Sequence, residues 1–155
     1  RLFRTALKSS MVVNTRHTGI VVKDIDRAVR FYEGMGMVLV NRMLEKGPYI
    51  EKLVGLPHVM LEWAKLRLPD HSLLELLQYH SHPYGIGINA LQESNRLGCS
   101  HIAFTVVDIE KGIEYVKANG GNVKKNYQLS PDRKVKVIYC YDPEGNILEL
   151  VQELK

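Results

Sequence analysis

The chain repeats itself, and that repetition limits its folds more than any other feature does. Two phrases near the ends of its halves match: LPDHSLLELLQ, residues 68–78, and DPEGNILELVQ, residues 142–152. Pro69 matches Pro143, Leu74 matches Leu148, Glu75 matches Glu149 and Gln78 matches Gln152, at an offset of 74 (149 − 75). Near the starts, His17, Asp24, Ile25, Val29 and Gly36 match His101, Asp108, Ile109, Ile113 and Gly120, at an offset of 84 (101 − 17). The first copy therefore holds about ten extra residues, and the irregular stretch Lys46 to Val59 is the natural place for them. At 155 residues the chain is one domain made of two similar halves.

Each half reads as strand, helix, then three strands. In the first, NTRHTGIVV (14–22) is β-rich. Asp24 is a plausible N-cap for a helix whose Ile25, Ala28, Val29 and Tyr32 recur at helical spacing, and Gly34 and Gly36 end it. Strands follow at 37–45, 60–68 and 72–79, with a helical turn or two between Pro48 and Pro57. The second half repeats the order: a strand at 99–107, a helix from Asp108 to Gly121, then strands at 122–129, 134–142 and 146–154. The divisions expected are an extension or tag remnant (1–13), a first βαβββ module (14–80), a Gly-, Pro- and Asn-punctuated linker (81–97) and a second module (98–155). The fold class is α+β. One helix covers only part of one face of a four-stranded sheet, so the other face must meet its twin or a ligand.

The apolar closing strands each carry one carboxylate, Glu75 and Glu149, flanked by leucines. An unpaired buried carboxylate is costly, so each sits on a solvated edge or faces a cation. His17 and His101 open the two halves at equivalent positions. Alternate residues of a strand share a face, which sets each of these polar groups on an otherwise apolar row. Two imidazoles and two carboxylates suit Zn²⁺, Ni²⁺, Co²⁺, Fe²⁺ or Mn²⁺ better than Ca²⁺. Any one of the four alone reads as structural; four at repeat-equivalent positions read as a site for one divalent metal ion.

Net charge narrows the partners. The formal value is +4, with no basic run interleaved with aromatics, so nucleic acid is not an expected partner. No apolar run reaches the roughly 20 residues that cross a bilayer, so neither is a membrane. Cys99 and Cys140 sit in strand-like runs and read as reduced, buried thiols, which suits a cytoplasmic protein.

Three stretches, RHTGIVVKDIDRAVRFYEGMGM, CSHIAFTVVDIEKGIEYVKANGG and YDPEGNILELVQE, resemble the vicinal oxygen chelate superfamily: glyoxalase I, bleomycin-resistance proteins and extradiol dioxygenases. The resemblance spans residues 14–153. It implies two βαβββ modules whose curled sheets form a cupped eight-stranded mixed sheet. The metal ligands it implies are His17, Glu75, His101 and Glu149, and the implied substrate is a small molecule that chelates the metal through neighbouring oxygens. The His, Glu, His, Glu set is the pattern of glyoxalase I, and methylmalonyl-CoA epimerase is similar. Both abstract a proton next to a carbonyl through a metal-bound enediolate, with Glu149 or Glu75 as the base. The segment 46–71, with its Gly55-Leu56-Pro57 motif, departs from glyoxalase I, and no glutathione-binding residues map onto the chain. An Fe(II) extradiol-type dioxygenase and a non-catalytic binder of the bleomycin-resistance type are the alternatives. Unpaired sheet edges point to a homodimer, and the cup is built within one chain or shared between two.

Other residues have plainer readings. His80 and His82 read as solvated linker, His58 and His71 as loop. Trp63 and Phe104 read as core, and Tyr139 and Tyr141 as core or cup lining. Arg133 and Lys134 read as a solvated turn.

Overall fold

A computed structural model describes residues 11–83, 91 and 93–155. Most of the expected extension, and the central part of the expected linker, lie outside the described residues.

The first half contains β1 (Thr18–Val21), α1 (Ile25–Gly34), β2 (Val38–Lys46), α2 (Pro48–Val54), β3 (Met60–Arg67) and β4 (Leu73–Tyr79). The second contains β5 (Ile102–Thr105), α3 (Ile109–Ala118), β6 (Gln128–Leu129), β7 (Val135–Tyr141) and β8 (Ile147–Glu153). Each half makes one four-stranded mixed sheet, in the order β1-β4-β3-β2 or β5-β8-β7-β6. In each the first strand runs parallel to the last, in matching register: Gly19 lies opposite Glu75, and Ala103 opposite Glu149. The α+β fold with its duplicated unit is the one expected.

The repeat has physical causes. Asp24 and Asp108 cap α1 and α3, each side chain accepting a hydrogen bond from the backbone N–H three residues on. Gln78 and Gln152 supply a second acceptor to each helix start. Their side-chain oxygens take the N–H of Ile25 (2.9 Å) and Ile109 (3.0 Å), groups a helix cannot satisfy within itself. The glutamine of each repeated phrase therefore ties the last strand of a module to its helix. Ile25, Ala28, Val29 and Tyr32 are buried, as their spacing predicts, and Phe31 joins them. They cover Ala64, Leu66, Leu74 and Leu76, while Val116 and Ile109 join Ile138, Cys140, Leu148 and Leu150 of the other half in the same core.

The two halves dock through α1. Its Phe31 carbonyl accepts from the Tyr115 hydroxyl (2.8 Å), and a β-carbon at Gly34 would collide with that tyrosine, so glycine permits the crossing of α1 and α3. Asp142, only 2% exposed, accepts hydrogen bonds from the Tyr32 hydroxyl (2.7 Å), the Asn146 amide and the backbone N–H groups of Glu144 and Asn146. Burial raises its pKa above the usual carboxylate range, against the lowering effect of those bonds. Glu144 pairs with Arg27 at 2.6 Å. The DPEGN phrase, read as turn chemistry, is thus also a clasp between halves.

Several expectations shift. The extra residues of the first copy form α2, a two-turn helix with Pro48 at its first position and Gly55 in the left-handed conformation at its end. Ile50 of α2 packs with Val59 and Leu61 against Leu77 and Tyr79, on the sheet face that carries Glu75 and opposite α1. The strand predicted at 122–129 shrinks to Gln128–Leu129, with a single bridge from Asn122 to Tyr141. Lys125 breaks the apolar alternation of Val123, Tyr127 and Leu129 there, and Lys124 and Asn126 flank the break. Strands β1 and β5 start after His17 and His101, because only four residues of each pair with the neighbouring strand. Cys140 is buried, as expected, whereas Cys99 is exposed, since it precedes β5.

Candidate functional site

The four ligand-type residues form two pairs, one in each half. His17 Nε2 lies 2.9 Å from Glu75 Oε2, and His101 Nε2 lies 2.8 Å from Glu149 Oε2. Register explains both. Glu75 faces Gly19, two residues beyond His17, and Glu149 faces Ala103, two beyond His101, so period-two alternation brings each pair to one face. The two pairs do not meet: among the described residues no three His, Cys, Asp or Glu side chains cluster closely enough to hold an ion.

Each pair could supply two ligands to an ion. Two donors on adjacent corners around one ion, at bonds of about 2.1 Å, lie about 3 Å apart. The observed separations match that spacing. In the first half, His17 Nδ1 is buried with no hydrogen-bond partner. The donor set of imidazole nitrogen and carboxylate oxygen fits a first-row divalent cation.

The halves differ in what stands beside each carboxylate. Lys65 faces Glu75 across β3 and β4, with its Nζ 3.4 Å from Glu75 Oε1 and 4.5 Å from the centroid of the Trp63 ring. The repeat-equivalent residue of the second half is Tyr139, which faces Glu149 across β7 and β8. Its hydroxyl is 3.5 Å from His101 Nε2, and the two rings are 4.8 Å apart. Burial, and then the charge of Glu149, raise the Tyr139 pKa. Glu75 is thus held at both oxygens, by His17 and Lys65, whereas Glu149 is held at one.

Sequence reasoning passed over Lys65, although the 74-residue offset that pairs Glu75 with Glu149 also pairs Lys65 with Tyr139. Trp63, expected in the core, is half-buried beneath Lys65 on the Glu75 face. Phe104 is core and Tyr141 is buried, leaving Tyr139 as the tyrosine beside the site. His80 is exposed and pairs with Glu62 at 2.8 Å, and His82 bonds Ser81. Arg133 lies in an exposed turn with φ 60.

At β1 and β5 the faces bearing the two pairs are open. Gly19, Val21, Ala103 and Thr105 are exposed on β1 and β5, each strand paired on one side only. A cavity of about 430 Å³ lies between the halves, lined by His17, Thr18 and Leu74 and by Ile102 to Thr105. A smaller one of about 330 Å³ lies beside His17, Lys65 and His71.

A duplicated βαβββ unit with a histidine just before the first strand and a glutamate on the last strand of each copy defines a class of proteins. Residues 15–150 match the model of the Glyoxalase/Bleomycin resistance protein/Dioxygenase superfamily, and the chain belongs to that family, the vicinal oxygen chelate superfamily. It is 32% identical over 147 residues to glyoxalase I of Saccharomyces cerevisiae, a match covering 87% of this chain and 43% of the yeast protein. It is 29% identical over 136 residues to lactoylglutathione lyase of Haemophilus influenzae, covering 88% of this chain and 90% of that one. The chain thus spans less than half of the yeast relative and nearly all of the bacterial one. A solved glyoxalase family protein from Bacillus cereus superposes with a TM-score of 0.85 at 26% identity, covering 97% of this chain and all of that one.

Proposed function

We propose that the chain is a metal-dependent lyase or isomerase of the glyoxalase I type, acting on a small molecule with two neighbouring oxygens, at a site shared by two copies of the chain. One observation carries this reading: each half presents a His–Glu pair of the right donor chemistry, and the two pairs stand apart within the chain. A divalent ion takes four to six ligands, more than either pair supplies. A symmetric partner, set against the open faces of β1 and β5, would bring the His17–Glu75 pair of one copy to the His101–Glu149 pair of the other. The relatives named glyoxalase I and lactoylglutathione lyase support the reaction class.

A divalent cation held there would supply Lewis-acid polarisation of the substrate oxygens. The chain's own residues divide the rest. Glu75, anchored by His17 and Lys65, holds position. Glu149, with His101 at Oε2 and no other partner among the described residues, has Oε1 available to take the proton from the carbon next to the carbonyl and return it at the neighbouring carbon. Tyr139 packs against His101 and limits its ring orientation.

The test is metal stoichiometry together with exchange of the substrate's carbon-bound proton with solvent, for α-hydroxycarbonyl and thioester substrates. Near-stoichiometric metal with proton exchange supports the reading. Full metal content with oxygen uptake on a catechol would replace it with the dioxygenase reading, and ligand binding without metal would replace it with a binding protein.

A further inference from the structure

The cavity beside His17 is lined by Asn14, Arg16, Lys65, His71 and Ser72, and no carboxylate is among its lining residues. We propose that it is an anion subsite, which takes a carboxylate or phosphate-type group carried by the substrate on the Glu75 side. The inference rests on the lyase reading for its substrate, but not for its binding chemistry.

The positive groups there have donors left over for a further partner. Lys65 is held to Glu75 by a long contact of 3.4 Å, against the roughly 2.7–2.9 Å of a close charge-assisted bond, and its ammonium has no other ion-pair partner among the described residues. Its Nζ also rests over Trp63, which holds the side chain in place. Arg16 has no ion-pair partner among the described residues, so its five N–H donors stay available. His71 holds φ 70 in the turn between β3 and β4, a conformation a residue with a side chain adopts at some cost. Two backbone bonds fix that turn: His71 N–H to the Leu68 carbonyl, and Leu68 N–H to the Ser72 carbonyl. Glu75 is the carboxylate that touches the lining, through His17 and Lys65, while Asp70 is engaged by the N–H and hydroxyl of Ser72 and lines the larger cavity.

The charge balance points the same way. Glu75 and Glu149 would together offset a bound dication, leaving Lys65 and Arg16 without counter-charge. The second half has no such surplus, because Tyr139 stands where the first half has Lys65. An anionic group therefore has one favourable end of the site, and the substrate one favourable orientation.

The experiment uses the full chain, stripped of metal by chelation and titrated calorimetrically with inorganic phosphate and, separately, acetate in a chloride background. Glu75→Gln removes the carboxylate that competes for Lys65, so it should bind phosphate about fivefold tighter than wild type. Adding Lys65→Met to Glu75→Gln should weaken phosphate by about tenfold or more, whereas Lys65→Arg should restore it to within about threefold. If Glu75→Gln does not fold, Arg16→Gln in the otherwise wild-type chain should still weaken phosphate by about threefold. Tighter acetate than phosphate would identify the substrate group as a carboxylate, and the reverse as a phosphate ester or phosphonate. Equal phosphate affinity with and without Lys65, or an adventitious ion only, would overturn the subsite. These titrations need no metal, so loss of the lyase reading leaves them interpretable, and their failure leaves metal uptake and proton exchange untouched.

Discussion

Glu75 and Glu149 hold the same place in the repeat but have different neighbours, and substitution should separate them. Glu149→Gln keeps the shape and removes the proposed base, so proton exchange should fall by about two to four orders of magnitude with the fold intact. Glu75→Gln should weaken metal binding more than it slows the exchange of whatever fraction remains loaded. Metal titration alongside isotope exchange checks both, and an equal loss of exchange per bound metal would argue against the assignment. Asp142 gives a second prediction at this scale. Its folded-state pKa is raised, chiefly by burial, so its contribution to stability is greatest below the unfolded carboxylate pKa and is lost as pH rises through the folded value. The difference in melting temperature between wild type and Asp142→Asn should therefore fall from pH 4 towards pH 7, measured by calorimetry in matched buffers. The four ligand candidates were legible because the repeat aligned them. Lys65 was not, since a lysine in a strand reads as a solvated residue until register sets it opposite a carboxylate.

The elements follow their sequence signals where local chemistry decides and depart from them where a neighbour does. Both helix starts were legible in Asp24 and Asp108. The partners of Gln78 and Gln152 were not, because those bonds join a strand to a helix 53 or 43 residues away. Gln152→Ala should leave the Ile109 N–H without its acceptor and cost about 1 kcal/mol. Gln152→Glu should retain stability, because it keeps an acceptor, suits a helix N-terminus and lies opposite Lys136. Chemical denaturation of the two variants tests this, and equal loss in both would show that shape rather than acceptance matters there. The α2 helix, hinted at only as a turn or two, takes its stability from packing on Leu61, Leu77 and Tyr79, which a seven-residue propensity pattern does not reveal.

At the scale of the whole molecule, the duplication and the fold class were readable from two offsets. How the halves stand to each other was not, because the Tyr32–Asp142 and Arg27–Glu144 contacts join residues more than a hundred positions apart. If two copies share each site, inactive chains should rescue one another. Mixing Glu75→Ala with Glu149→Ala chains, unfolding and refolding them together, creates mixed dimers with one intact site and one doubly defective site. Random pairing should restore roughly a quarter of wild-type turnover. Light scattering should show twice the chain mass. No rescue in verified mixed dimers would place all four residues of each site on one chain.

The single lip formed by α2 carries a further consequence, for handedness. The donors hold repeat-equivalent positions, but among the described residues α2 packs on the Glu75 face and a lysine faces Glu75, where a tyrosine faces Glu149. A flat, prochiral intermediate lying between such unlike walls would present the same face to Glu149 in each turnover. The returning proton should then give one enantiomer of product, and in deuterated water the label should enter at one of two otherwise equivalent positions. Chiral chromatography and deuterium NMR would read both.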